Sequence, residues 1–368
     1  MPRVLRLSRS PEQSVKEMAK FLLENGRVEG VLTLRKIGEN GAVAYSLISN
    51  PDELDYARPL YPLMPVNSGK LLSLLTLREA ATEPIAVVLR PCELRAFVEL
   101  LKRQQGSTDN LLLISSTCGG VYPLEMALED KIEEKLPQYW GAVKQGEVSP
   151  GIRPACKACD HFVPYTADIT VSLLGNKDID RETVTFLNTG RGENFLEGMS
   201  GEFSEEELDS ATVERIRSQR QSEKQKLFDE TEIRNLGIDE LTKAFSKCIG
   251  CHNCSKVCPI CYCHLCFFDS EASEHDAVYY ATQLERRGSV EAFPDTIFYH
   301  LVRLSHVSTS CVGCGMCSDV CPASIPLWAI SLRVAEAVQK AYDYLPGKDM
   351  EEGLPLTTFR PEEFAAVG

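Results

Sequence analysis

The sequence predicts an α/β (α+β) N-terminal domain built on a mixed sheet, followed by a mainly helical domain organised around cysteines. Three observations carry this prediction. Short β-branched runs alternate with helical periodicity over the first 200 or so residues, a polar helix-forming stretch follows them, and most of the 15 cysteines crowd between residues 248 and 321. With 368 residues, 43% of them hydrophobic and 25% charged, the chain is long enough for two packed cores.

In chain order, residues 16–23 carry apolar positions at helical spacing, and residues 30–35 form a short apolar run that suits a buried strand. The same alternation repeats with a helix over 70–78, a strand over 84–90, a helix over 93–102 and a strand over 110–115. Strands that alternate with helices predict a parallel or mixed sheet covered by helices. Residues 183–189 read as a further strand, with Gly190-Arg191-Gly192 as either an anion-binding turn or an ordinary hairpin. Residues 202–245 are polar and rich in helix formers, which predicts a solvated helical linker after a domain spanning 1–201. The cysteine-rich domain spans 246–345 and a tail 346–368. Within that domain Leu327, Ile330, Leu332, Val334, Ala337 and Val338 form the apolar stripe of a helix over 327–344.

Charge narrows the function. A net charge of -14, with acidic residues spread along the chain and no Lys/Arg-rich run, excludes a nucleic-acid surface. No stretch approaches the roughly 18 consecutive apolar residues of a membrane span. The polar N-terminal run Met1 to Arg9 does not read as a signal peptide. The expected location is therefore cytoplasmic, where thiols stay reduced and bind metal rather than form disulfides.

The runs Cys248-x2-Cys251-x2-Cys254-x3-Cys258-Pro259 and Cys311-x2-Cys314-x2-Cys317-x3-Cys321-Pro322 are both complete. This spacing places three thiolates on one [4Fe-4S] cube and sends the fourth, one helical turn on, to the other cube. The expected ligand sets are crossed: Cys248, Cys251, Cys254 and Cys321 for one cluster, and Cys311, Cys314, Cys317 and Cys258 for the other. A dicluster ferredoxin-type domain follows. The competing assignment is structural zinc, which needs pairs of cysteines rather than quartets closed by Cys-Pro. Between the quartets, Cys261, Cys263 and Cys266 read as exchangeable or additional ligands, or as small buried residues. His252 and His264 are candidates for tuning a cluster by hydrogen bonding.

Cys92, Cys118, Cys156 and Cys159 lie at predicted strand ends or turns, and taken alone they fit buried free thiols as well as ligands. The run Arg90-Pro91-Cys92-Glu93-Leu94-Arg95, then Cys118-Gly119-Gly120, then Cys156-x2-Cys159-Asp160 followed by Ala167-Asp168-Ile169, resembles the β subunit of coenzyme F420-reducing hydrogenase and of F420-linked formate dehydrogenase. The double quartet, with Cys258-Pro259-Ile260-Cys261-Tyr262-Cys263, resembles the formate dehydrogenase form. The resemblance covers about residues 25–330. It implies a third [4Fe-4S] cluster on Cys92, Cys118, Cys156 and Cys159, and a flavoprotein carrying FAD.

The function this implies is an iron-sulfur electron-transfer subunit of a multi-subunit oxidoreductase. It would relay electrons between a catalytic subunit, such as formate dehydrogenase or hydrogenase, and another electron-transfer subunit, rather than convert a substrate itself. The alternatives are a flavoenzyme acting directly on F420, a flavin-free wire to a heterodisulfide-reductase-like bifurcating module, and a zinc scaffold. Where the family carries a Gly-Gly turn, this chain reads Ser8-Arg9-Ser10-Pro11-Glu12-Gln13-Ser14, and the later glycine-rich stretch is thinned to Gly175-Asn176. Backbone without glycine approaches a planar ring less closely, so no efficient F420 turnover is expected. A protein partner is expected to dock near the ferredoxin-type domain, held by the helix over 327–344 or its flanks.

Overall fold

The computed structural model describes residues 2–38, 42–129, 131–230, 237–290 and 295–357. Among these, the strands are β1 (Arg3–Leu7), β2 (Gly30–Lys36), β3 (Val43–Ile48), β4 (Ile85–Val88), β5 (Leu111–Ser116), β6 (Ile169–Ser172), β7 (Thr183–Leu187) and β8 (Glu202–Glu205). They form one mixed sheet in the order β3-β2-β4-β5-β6-β7-β1-β8. Strands β2, β4, β5 and β6 run parallel, and the pairs involving β3, β7, β1 and β8 are antiparallel. β5, Leu-Leu-Leu-Ile-Ser-Ser, is buried throughout, as a central parallel strand covered on both faces must be. The mixed sheet predicted from the alternating pattern is present.

The covering helices include α1 (Pro11–Glu24), α2 (Ser68–Thr76), α3 (Pro91–Leu101) and α4 (Ile132–Gln145). α1 and α3 both start with proline, whose fixed φ and missing N–H suit the first helical position. The C-terminal half is helical, with α5 (Ser210–Glu230), α6 (Ile238–Phe245), α7 (Thr296–Val307) and α8 (Leu327–Ala341). A separate core there joins Leu241 and Phe245 of α6 to Tyr299 and Leu304 of α7 and to Leu327 and Ile330 of α8.

Two expectations need correction. The stretch 202–245 is not helical linker throughout: Glu202–Glu205 is an edge strand paired with β1, and α6 buries its apolar face in the C-terminal core. Gly190–Phe195 is a short helix rather than a hairpin, begun by the Thr189 hydroxyl accepting from the Gly192 N–H at 3.1 Å. That hydroxyl donates to Asp168 at 2.6 Å, and the carboxylate makes the turn unsuited to an anion. In the helix over 327–344, Leu327, Trp328, Ile330 and Ala335 are buried inside the molecule, whereas Leu332, Val334 and Val338 are half-buried and Ala337 is exposed.

Part of the expected tail is also structural. The Gly347 N–H donates to Glu99 at 2.9 Å and Arg95 Nε donates to the Pro346 carbonyl at 2.8 Å, so the segment straps across α3. Gly347 has φ +69°, and a Cβ there would lie 2.3 Å from the Arg95 carbonyl oxygen, so only glycine fits. Residues 358–368 of the expected tail lie outside the described residues.

Candidate iron-sulfur centres

Ligands in open α/β sheets gather beyond the carboxyl ends of parallel strands. Here β4 runs into Arg90-Pro91-Cys92 and its parallel neighbour β5 into Thr117-Cys118, so the register Val88↔Ile114 brings the two thiols to one edge. The helical turn Pro154–Lys157 brings Cys156, and Cys159 follows it. Cys92 has Cys118 and Cys159 among its charged neighbours, and Cys156 has Cys118 and Cys159. Burial pushes the Cys92 thiol far up, Cys156 up to about 12, and Cys159 up. From α5, Arg220 donates to the carbonyls of Cys118 at 2.9 Å and Cys159 at 3.2 Å, which ties the set together from outside the sheet.

The first turn of α3 is held by Glu93, fully buried. Its carboxylate accepts from the Arg90 N–H at 2.8 Å, the Ser68 N–H at 3.2 Å, the Tyr45 hydroxyl at 2.7 Å and the Arg90 guanidinium at 3.3 Å. Replacing it strands several buried donors and a guanidinium. Glu93→Ala is expected to lower stability by about 3–5 kcal/mol, read as the urea midpoint of anaerobically purified protein, with Glu93→Gln less damaging. A loss under about 1 kcal/mol, the worth of one ordinary hydrogen bond, would contradict the network's role.

Cys321 lies beside the first ferredoxin-type loop and Cys258 beside the second. Cys248 has the thiols of Cys251, Cys254 and Cys321 as neighbours, and Cys254 has those of Cys251 and Cys321. Cys311, Cys314 and Cys317 each have Cys258. Burial raises Cys311, Cys314 and Cys317 to about 12 and also pushes up Cys248 and Cys254. Cys258 is the exception. The Cys261 thiol donates to it, which holds Cys258 down and Cys261 up.

The three thiol sets form a line. Gly315, at φ +80°, sits where a Cβ would fall 2.5 Å from the Cβ of Ala155, so the loop of Cys314 presses against the turn of Cys156. Cys92, Cys156 and Cys314 all pack on the buried trio Met64, Val121 and Met316. On the far side Cys317 has Cys254 as a charged neighbour. The Cys311 set therefore lies between the other two.

Of the histidines, His264 is exposed and His252 stacks on Tyr299 at 4.3 Å, while the Tyr299 hydroxyl lies 3.3 Å from Cys254 Sγ. The histidine that reaches a candidate ligand is one the sequence did not single out. His300 Nε2 lies 3.4 Å from Cys248 Sγ, with its ring stacked on Phe245. Burial lowers its pKa to about 4, so it is neutral at pH 7. Cys261, Cys263 and Cys266 line a cavity of about 530 Å³ together with Lys70 and Arg303. Lys70 pins this loop by donating to the carbonyls of Lys256, Cys258 and Cys261 at 2.8, 3.1 and 3.2 Å.

The donor chemistry suits anionic iron-sulfur groups. Cys156, Cys254 and Cys317 each have a buried arginine as a charged neighbour, and the Nε atoms of those arginines, Arg153 and Arg303, are buried without a hydrogen-bond partner. Arg220 Nε beside Cys159 is in the same state. A donor left so is expensive unless an anion meets it. Among the described residues no group of three or more His, Cys, Asp or Glu converges as ligands of a single metal ion. The cavity at the strand ends, between Leu60, Arg90, Cys118, Gly119 and Tyr139, holds about 20 Å³, room for about one water.

Residues 244–325 match the family described as 4Fe-4S dicluster domain, and residues 130–211 match the family described as the C terminus of the coenzyme F420 hydrogenase/dehydrogenase beta subunit. The F420-dependent formate dehydrogenase 1 subunit beta of Methanococcus maripaludis is 31% identical, over 92% of this chain and 91% of the relative. The chain belongs to the F420 hydrogenase/dehydrogenase β-subunit family. A second family member, the F420-dependent formate dehydrogenase subunit beta of Methanocaldococcus jannaschii, is 28% identical over 91% of this chain and 92% of its own length. A chain of the xenon-derivatised F420-reducing [NiFe] hydrogenase complex from Methanosarcina barkeri is 16% identical and covers 65% of this chain and 94% of its own length, with a TM-score of 0.45. As a β subunit with a 4Fe-4S dicluster domain, the chain is an iron-sulfur electron-transfer subunit. No helix among the described residues is long and apolar enough to cross a membrane.

Proposed function

We propose that this β subunit relays electrons between a catalytic oxidoreductase subunit and a second redox subunit through three [4Fe-4S] centres. Their ligands are Cys92, Cys118, Cys156 and Cys159; Cys311, Cys314, Cys317 and Cys258; and Cys248, Cys251, Cys254 and Cys321. The observation that supports the reading is the line of three thiol sets, in which Gly315 lets the first two touch and Cys317 with Cys254 joins the last two. When bound, each centre accepts and returns one electron at a time. The protein's part is to hold the thiols, exclude water and set the surrounding charge. Arg220 clamps the carbonyls of Cys118 and Cys159, Lys70 pins the loop of Cys258, and His300 meets Cys248 Sγ as a neutral ring.

A second reading, direct chemistry on the deazaflavin F420, is favoured by the names of the two formate dehydrogenase relatives. It requires a flavin-sized site. Against it stand the small cavity at the strand ends and the glycine-free entry into α1.

The two readings separate on three measurements of the anaerobically purified complex. The relay expects about twelve iron atoms per chain, flavin well below one per chain, and slow reduction by reduced F420 relative to reduction by a viologen dye. One flavin per chain with rapid F420 oxidation would replace the relay with the flavoenzyme reading.

A further inference from the structure

Arg303 lies on α7 and is 5% exposed. One of its N–H groups donates to the Cys254 carbonyl at 3.3 Å. Its charged neighbours are Cys258, Cys317, Cys261 and Cys254. Cys254 belongs to one ferredoxin-type set, and Cys258 and Cys317 belong to the other. The guanidinium also lines the cavity enclosed by Cys258, Cys311, Cys314 and Cys317.

Its Nε is buried without a hydrogen-bond partner. Among the described residues no ion pair joins it to a carboxylate. Arg153, the cation beside Cys156 and Cys314, differs in being paired with Asp319 at 2.6 Å. A full positive charge buried among thiols, with a spare donor and no carboxylate, is stable only where anions surround it. Two thiolate-bound cubes supply that environment.

We propose that Arg303 is a positioning residue set between the two dicluster centres, whose fixed charge holds both reduction potentials up together. The inference rests on the ligand sets proposed above. Reduction adds one negative charge to a centre, and in a low-dielectric interior a neighbouring cation favours the reduced form. A cation that touches only one set would move one potential. Arg303 touches both, so both move.

The test uses the full holoprotein, purified anaerobically with its accompanying subunits, and follows the two dicluster signals by EPR through a potentiometric titration while iron is counted in parallel. Arg303→Gln is expected to keep its iron. At the ambient potential that half-reduces each wild-type centre, its reduced-to-oxidised ratio is expected to fall about tenfold at both centres, which is about 59 mV for a one-electron couple. Arg303→Lys is expected to restore both curves.

Iron lost from Arg303→Gln but retained with wild-type curves in Arg303→Lys would also support the charge role. An iron-replete Arg303→Gln with unmoved curves, or with only one curve moved, would overturn it. So would loss of iron from both variants, which would make Arg303 a brace. A wild-type protein without two dicluster EPR signals would refute the ligand sets and the inference together, whereas unmoved curves in an iron-replete variant refute the inference alone.

Discussion

Cys258→Ser is expected to destroy or alter the centre built on Cys311, Cys314 and Cys317 and to leave the centre of Cys248, Cys251 and Cys254 in place. The sequence neighbours of Cys258 argue for the opposite, because it closes the quartet that begins at Cys248. Its position decides otherwise. The helical turn Asn253–Lys256 carries Cys254, and the chain leaves it with Cys258 beside the second loop, near Cys311, Cys314 and Cys317. Cys321 makes the reciprocal move toward Cys248 and Cys254. Serine removes one thiolate from a set of four, so the variant is expected to convert that centre to a three-iron form or lose it, a change of about one to four iron atoms. EPR and iron analysis on the anaerobic variant check this. If the altered signal belongs to the Cys248 loop and the other is intact, the exchange of fourth ligands is wrong.

The double variant Cys156→Ser/Cys159→Ser is expected to lose a whole centre, taking the iron count from about twelve to about eight per chain. Both thiols come from one short turn, so their loss leaves Cys92 and Cys118 unable to hold a cube alone. The dicluster signals should survive, because the loop of Cys248 is held by α6, α7 and α8, and the substitutions leave Ala155 in place against Gly315. An iron count that stays the same in the variant would remove the centre from the α/β half of the molecule.

Three of the four parallel strands were legible because Gly30–Lys36, Ile85–Val88 and Leu111–Ser116 are short runs rich in Leu, Val and Ile, as buried strands must be, whereas β6 was not read. Nor was β8. Glu-Phe-Ser-Glu is four residues of edge strand with charged ends, and such an edge looks like linker in a sequence. The cysteine loops announce themselves by spacing, whereas Cys92, Cys118, Cys156 and Cys159 meet only when β4 and β5 lie side by side.

The buried arginines were invisible because Arg is normally a surface residue. A faint signal exists in Arg90-Pro91-Cys92 and Arg153-Pro154-Ala155-Cys156, where an arginine precedes the proline that begins a helical turn bearing a cysteine. Arg303, in mid-helix between Val302 and Leu304, carries no such mark. His300 was overlooked for a similar reason: it is far in sequence from the cysteine it meets and is brought there by the packing of α7 on α6.

The strap formed by Tyr344 to Gly347 makes α3 a junction between the sheet and the loop of Cys311. Tyr344 and Gly347 both donate to Glu99, and Arg95 reaches at once to the Pro346 carbonyl and to the Val312 carbonyl next to Cys311. The four bonds tie residues far apart in the chain, near positions 95, 312 and 346, into one unit, so a change at Glu99 or Arg95 reaches the loop of Cys311 from outside it.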